Sequence, residues 1–257
     1  YVLSVREVYL LKGTDKKQIM LTSHSGKQQP YQWSGTGFLL EDGRLVTARH
    51  CIQEWRFSDD LGGVLNQVAI ADSDPDTEVI AVINATSRTG KTFQFKSTDF
   101  ICNDSYDQRG KLEGPFEEDV PVYLKSASLF ENTDERVLST DWAYVRTPNR
   151  GKLKMDQTLS QSLRSGAELH VLGFPMQMNV GNAASNANPN YDKFNVASDG
   201  LDRTGCFLYT KGGVSSVHAG SPVLIQKGDE MVVVGIVSGW SGNHQNYNYG
   251  IPVSTIK

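Results

Sequence analysis

Apolar positions along this chain fall in short runs of strand length, each closed by turn residues, and nowhere in a long stretch with helical spacing. Residues 4–11, 37–40, 44–48 and 68–71 read as strands in the first part, with turns such as Glu41-Asp42-Gly43 between them. Residues 168–175, 206–210 and 231–237 repeat the pattern further on, with a short terminal strand near residues 251–253. Tight turns need glycine's freedom at positive φ and proline's fixed φ, and 24 glycines with nine prolines supply both. The expected fold class is therefore all-β and antiparallel. Residues 1–150 form a first unit, residues 151–165 a basic, turn-rich connector, and residues 166–257 a second unit. Between residues 87 and 134 the pattern turns polar and irregular and carries Glu117-Glu118-Asp119, which reads as inserted surface loops with a solvated charged face.

Length and charge narrow the classes of partner. A chain of 257 residues buries a sizeable core either as one large domain or as two small ones. A net charge of -4 with no dense Lys/Arg block argues against nucleic acid. No run approaches the roughly 18 apolar residues of a membrane span, so a soluble protein is expected. Its compartment stays open between the cytoplasm and bacterial secretion, as do further domains of a longer gene product. The three cysteines, Cys51, Cys102 and Cys206, are too few and too scattered for a disulfide scaffold or a zinc ribbon. No His/Cys/carboxylate motif points to a catalytic metal, and no cofactor is expected. Arg88-Thr89-Gly90-Lys91-Thr92 has the look of the end of a phosphate-binding loop, but Ala85 stands where the earlier glycine belongs and no strand-to-helix setting surrounds it.

The candidate chemistry lies in separated strips: Leu45-Val46-Thr47-Ala48-Arg49-His50-Cys51, Thr140-Asp141-Trp142-Ala143-Tyr144-Val145, and His218-Ala219-Gly220-Ser221-Pro222-Val223. The first follows Gly35-Thr36-Gly37-Phe38, and the last is followed by Gly235-Ile236-Val237-Ser238-Gly239-Trp240. In type and order these strips resemble the trypsin/chymotrypsin clan of serine proteases, most closely its bacterial, glutamyl-endopeptidase-like branch. That resemblance spans nearly the whole chain. It implies two antiparallel six-stranded β-barrels with the active site in the cleft between them, and a peptide or protein substrate.

Peptide hydrolysis at neutral pH needs a nucleophile, a base, a carboxylate that orients the base, and donors for the developing oxyanion. The resemblance makes His50 the base, Asp141 the carboxylate and position 219 the seat of the nucleophile, where this chain has alanine. Two explanations stand: a serine endopeptidase inactivated by a serine-to-alanine change at 219, or a natural pseudoprotease that binds peptides or proteins. The oxyanion hole would use the backbone N–H groups of Val217 and Ala219; the valine stands where the clan usually has glycine, so the hole is expected to form only with a ligand or partner. Gly213, Val214, Val237, Ser238, Gly239 and Gly250 would line the specificity pocket. None is charged, which favours a small or medium apolar side chain over a basic or acidic one. The clan's mammalian-type members bridge the cysteine after the histidine to one placed where Gly35 stands here, so that bridge cannot form from Cys51, and at least one of the three cysteines is unpaired within the chain. His24, His170 and His244 lack comparable surroundings and read as ordinary loop or strand residues.

Overall fold

The computed structural model describes residues 1–57, 63–103, 139–174, 188–202, 204–210, 219–238 and 247–257, leaving aside the side chain of Asp72. β1 (Val2–Lys12) organises the first half. A hairpin joins it to β2 (Asp15–Gln18), and a small ribbon of β3 (Met20–Thr22) and β4 (Gln28–Pro30) follows. β5 (Trp33–Thr36) pairs with the start of β1, and across Gly37 the chain continues as β6 (Phe38–Leu39) and turns into β7 (Arg44–Thr47). After helix α1 (Val64–Ser73), β8 (Thr77–Thr86) takes the other edge of β1, and β9 (Thr92–Lys96) pairs with β8. A 3-10 turn at Ser97–Asp99 bends the chain into β10 (Ile101–Cys102), which pairs with β11 (Ala143–Arg146), itself the neighbour of β7. The register of β1 against β8 shifts between Val5 and Glu7, as at a β-bulge.

The second half holds β12 (Lys154–Met155), helix α2 (Gln157–Gln161), β13 (Glu168–Gly173), β14 (Asn190–Asn195), β15 (Phe207–Thr210), β16 (Pro222–Lys227), β17 (Glu230–Val237) and β18 (Tyr247–Pro252). Its sheet runs β14-β13-β16-β17-β18-β15, and the bridge of Val196 to Tyr209 draws the two outer strands toward each other. The molecule is thus made of curled antiparallel sheets in two half-barrels. One strand pair breaks the antiparallel expectation: β12 runs parallel to β17, so part of the connector is stitched onto the second sheet. Leu153 also bridges to Leu40, tying the same segment to the first half.

Two local expectations are corrected. Residues 68–71 belong to α1, because Val64, Leu65 and Val68 bury one side of a helix while Ile70 faces outward at 47 % exposure. Gln67 anchors this helix to β3: the Met20 N–H donates to its Oε1 at 3.1 Å, and its Nε2 donates to the Met20 carbonyl at 2.7 Å. A polar residue inside an apolar run thus supplies the edge bonding that a strand would have given. The region from residue 87 also holds core structure. Phe93 and Phe95 alternate with polar residues on β9 and pack against the first core, and Phe100 is buried within it. The acidic patch at residues 117–119 lies outside the described residues.

The larger core fills the first half but includes Ala219, Leu224, Val233, Ile236, Ile251, Val253 and Ile256 from the second. A smaller one, around Phe207, Tyr209 and Val234, sits within the second half. Shared apolar packing between the halves sets where the residue-219 turn can lie.

Candidate active site

Strand register brings the histidine to the carboxylate. β7 and β11 are antiparallel with Thr47 opposite Ala143, and the ladder continues past the strand ends as the Arg49 N–H donates to the Asp141 carbonyl at 3.2 Å. The chain then tightens into a 3-10 turn, Arg49–Cys51, which lifts His50 out of the sheet beside Asp141. The His50 backbone N–H donates to Asp141 Oδ1 at 2.9 Å, and Nδ1 lies 2.7 Å from Oδ2. An ionised carboxylate only accepts, so Nδ1 carries the proton and Nε2 faces away from Asp141.

The pair is set in a largely buried wall. The Asp141 side chain is 2 % exposed and that of His50 19 %. Arg49 and Trp142 are among the largest fully buried side chains, and the Phe57 ring stands edge-on to the imidazole with centroids 5.9 Å apart. Burial by itself disfavours a charged imidazole, but the adjacent Asp141 carboxylate and, after it, Cys51 together outweigh it and hold His50 well above the ordinary histidine value. A second carboxyl, Glu54, is pushed up by burial, with the charge of His50 among the influences opposing that rise.

A pH signature follows from the raised His50 value. The stabilisation it contributes is complete below the unfolded-state value near 6.5 and is lost as pH climbs through the higher folded-state value. Urea midpoints of the chain are therefore expected to fall toward alkaline pH more steeply than those of a His50→Gln variant. Superimposable profiles would contradict this.

Position 219 arrives from the second half. The Ala219 carbonyl accepts the Thr36 N–H at 3.0 Å, and the Gly220 N–H donates to the Val237 carbonyl at 2.8 Å. Gly220 has φ +84, and a Cβ there would stand 2.1 Å from the Thr36 carbonyl oxygen and 2.5 Å from Thr47 Oγ1. The 219–220 turn is thereby pressed onto β5 and the end of β7, the strand that leads to His50. Cys51 packs against the same place, its Sγ 2.6 Å from where a Cβ on Gly35 would be. None of the three cysteines forms a disulfide.

Other expected positions divide. Val237 is buried in the second core and pairs with Gly250, while Ser238 Oγ donates to the Tyr249 carbonyl at 3.3 Å. Gly250 lies under the Phe207 ring, which a Cβ would approach to 2.1 Å. Gly213, Val214, Val217, His218, Gly239 and His244 lie outside the described residues. His170 is a strand residue, its Nδ1 2.5 Å from the Tyr191 hydroxyl and its Nε2 3.4 Å from Glu168. Sequence reasoning missed Glu54 and Phe57 beside His50, and Cys206 beside Asp141. Burial pushes the Cys206 thiol up to about 12, so it is a packing group rather than a nucleophile. No spacing rule could have found it, since its approach depends on the two halves docking. Among the described residues no group of three His, Cys, Asp or Glu could hold a metal ion, and no helix is long and apolar enough to cross a membrane.

No protein-family model and no curated protein sequence matches the chain. Among solved structures, it is similar to an HtrA-type protease, AlgW, in a serine-to-alanine form with a decapeptide, at 14 % identity and a TM-score of 0.48. That match covers 98 % of this chain, which spans 60 % of the other. It is also similar to a scabies mite inactivated protease paralogue, at 12 % identity and a TM-score of 0.46, covering 97 % of this chain and 89 % of that one.

Proposed function

We propose that this chain is a peptide- or protein-binding module on the framework of a trypsin-like serine endopeptidase, with two six-stranded barrels, His50 and Asp141 in the cleft, and Ala219 at the nucleophile's seat. The bidentate engagement of Asp141 by His50, through the backbone N–H at 2.9 Å and the ring at 2.7 Å, carries the reading. A carboxylate that fixes one imidazole tautomer turns the other nitrogen away from itself, the side on which acid-base work would be done. A methyl group at 219 cannot attack a carbonyl, so covalent acyl transfer is closed to the sequence as it stands. Binding survives that change, because cleft and backbone donors do not depend on a hydroxyl.

A second reading, an endopeptidase with serine at 219, rests on the same pair, which would orient the imidazole toward such a hydroxyl. The residues proposed to line the pocket are uncharged, and we assign it a small or medium apolar side chain. Calorimetric titration of the chain with a peptide library, followed by mass spectrometry, tests the binding reading. Saturable binding of peptides with such a side chain, recovered uncut, is expected. Steady cleavage by the alanine chain, or selection of Arg, Lys or Glu, would overturn it.

A further inference from the structure

We propose that Cys51 is a positioning residue whose thiol engages the outer nitrogen of His50 and withholds that nitrogen from residue 219. The proposal rests on the reading of His50 as the base for that position. Cys51 Sγ lies 3.9 Å from His50 Nε2, within hydrogen-bond reach for sulfur, while Nδ1 is held by Asp141 at 2.7 Å. Both ring nitrogens are therefore engaged by residues of the first half. The site of a Cβ on Gly35 lies 2.6 Å from Cys51 Sγ and 3.7 Å from the Ala219 carbonyl oxygen, so the thiol and the residue-219 peptide share the space that this glycine leaves open.

The consequence for chemistry follows from what each proton arrangement does to Nε2. As a thiol, Cys51 donates S–H to the Nε2 lone pair; if the proton passes to Nε2, the result is a thiolate beside an imidazolium. In neither arrangement is the lone pair free to take a proton from a hydroxyl at 219. The titratable groups around the ring are Asp141, Cys51 and Glu54; burial disfavours its charged form, and Asp141 and then Cys51 raise the His50 value against it. Burial of Cys51, at 2 % exposure, keeps water from competing for the contact.

The experiment follows the His50 ring by histidine-selective nitrogen NMR across a pH titration, in the chain as it stands and in Cys51→Ala and Cys51→Val. The valine keeps the site filled with an apolar, slightly larger side chain, the alanine leaves it smaller, and both remove the polar contact. Both variants are expected to change the Nε2 resonance and to shift the His50 midpoint, upward where the lost partner is an S–H donor that stabilised the neutral ring and downward where it is a thiolate that stabilised the imidazolium. In an Ala219→Ser background they are expected to raise fluorophosphonate labelling at neutral pH by roughly tenfold and to move its pH profile with the His50 midpoint. A His50 titration that Cys51→Val leaves in place would overturn the role of Cys51, even if Ala219→Ser is labelled. A midpoint shifted by Cys51→Val in an Ala219→Ser chain that no probe labels would uphold the Cys51 contact and sink the endopeptidase reading instead.

Discussion

Ala219→Ser is expected to yield a chain that a fluorophosphonate probe labels at residue 219, where the alanine chain takes no label. The hydroxyl would enter a site whose base already has its carboxylate, with the Nδ1 proton committed to Asp141 Oδ2 at 2.7 Å. In that background, His50→Ala removes the proton acceptor and should lower the labelling rate by about 10³ to 10⁴-fold. Asp141→Asn should cost a similar factor for a different reason. Its amide can still accept the His50 backbone N–H, but its NH2 forces Nδ1 to accept, leaving Nε2 protonated and unable to act as a base. Because the three groups act as one unit, the double variant should lose little more than either single one. The rate should rise with pH through an inflection above the ordinary histidine value, since Asp141 holds the imidazolium. Labelling that is indifferent to His50 in a folded serine variant would end the endopeptidase reading.

The largest loss of stability is expected from Gly220→Ala. Two costs coincide there: an alanine at φ +84 pays about 1–2 kcal/mol in backbone strain, and its Cβ would sit 2.1 Å from the Thr36 carbonyl oxygen. That oxygen also accepts the Thr47 hydroxyl at 2.7 Å, so it cannot retreat without disturbing the buried bond that ties β5 to β7. A loss of at least about 3 kcal/mol is expected in urea unfolding, with the 219–220 turn displaced from β5. Gly228→Ala is the control. Its φ of +62 is comparable, but nothing lies within 4 Å of the added carbon, so only about 1 kcal/mol should be lost. Equal losses for the two variants would mean that close approach at Gly220 contributes nothing.

Much of the strand layout was legible because it depends on neighbours in sequence. The runs that became β1, β7, β13 and β17 are apolar segments between turn residues, and a strand needs no more than that to be recognised. α1 was misread because four apolar positions, Val68 to Ala71, look alike in a strand and a buried helix. What decided between them was the bonding of Gln67 to Met20, a contact across 47 residues. β9 was missed for the opposite reason: Phe93 and Phe95 are two apolar residues in a polar stretch, and only the packing of the first core shows that they face inward.

By itself the sequence determined a predominantly β chain of turn-punctuated strands, since local order needs no folding to be read, and its resemblance to the protease clan pointed to His50 and Asp141. The tertiary structure alone decided that the register of β7 against β11 sets those two side chains 2.7 Å apart. It alone decided that Cys51 sits 3.9 Å from the other imidazole nitrogen, and that the second half delivers Ala219 to β5. The physical reason is that proton affinity and reach depend on distance, burial and neighbouring charge, and for groups 91 residues apart along the chain these quantities exist only after folding.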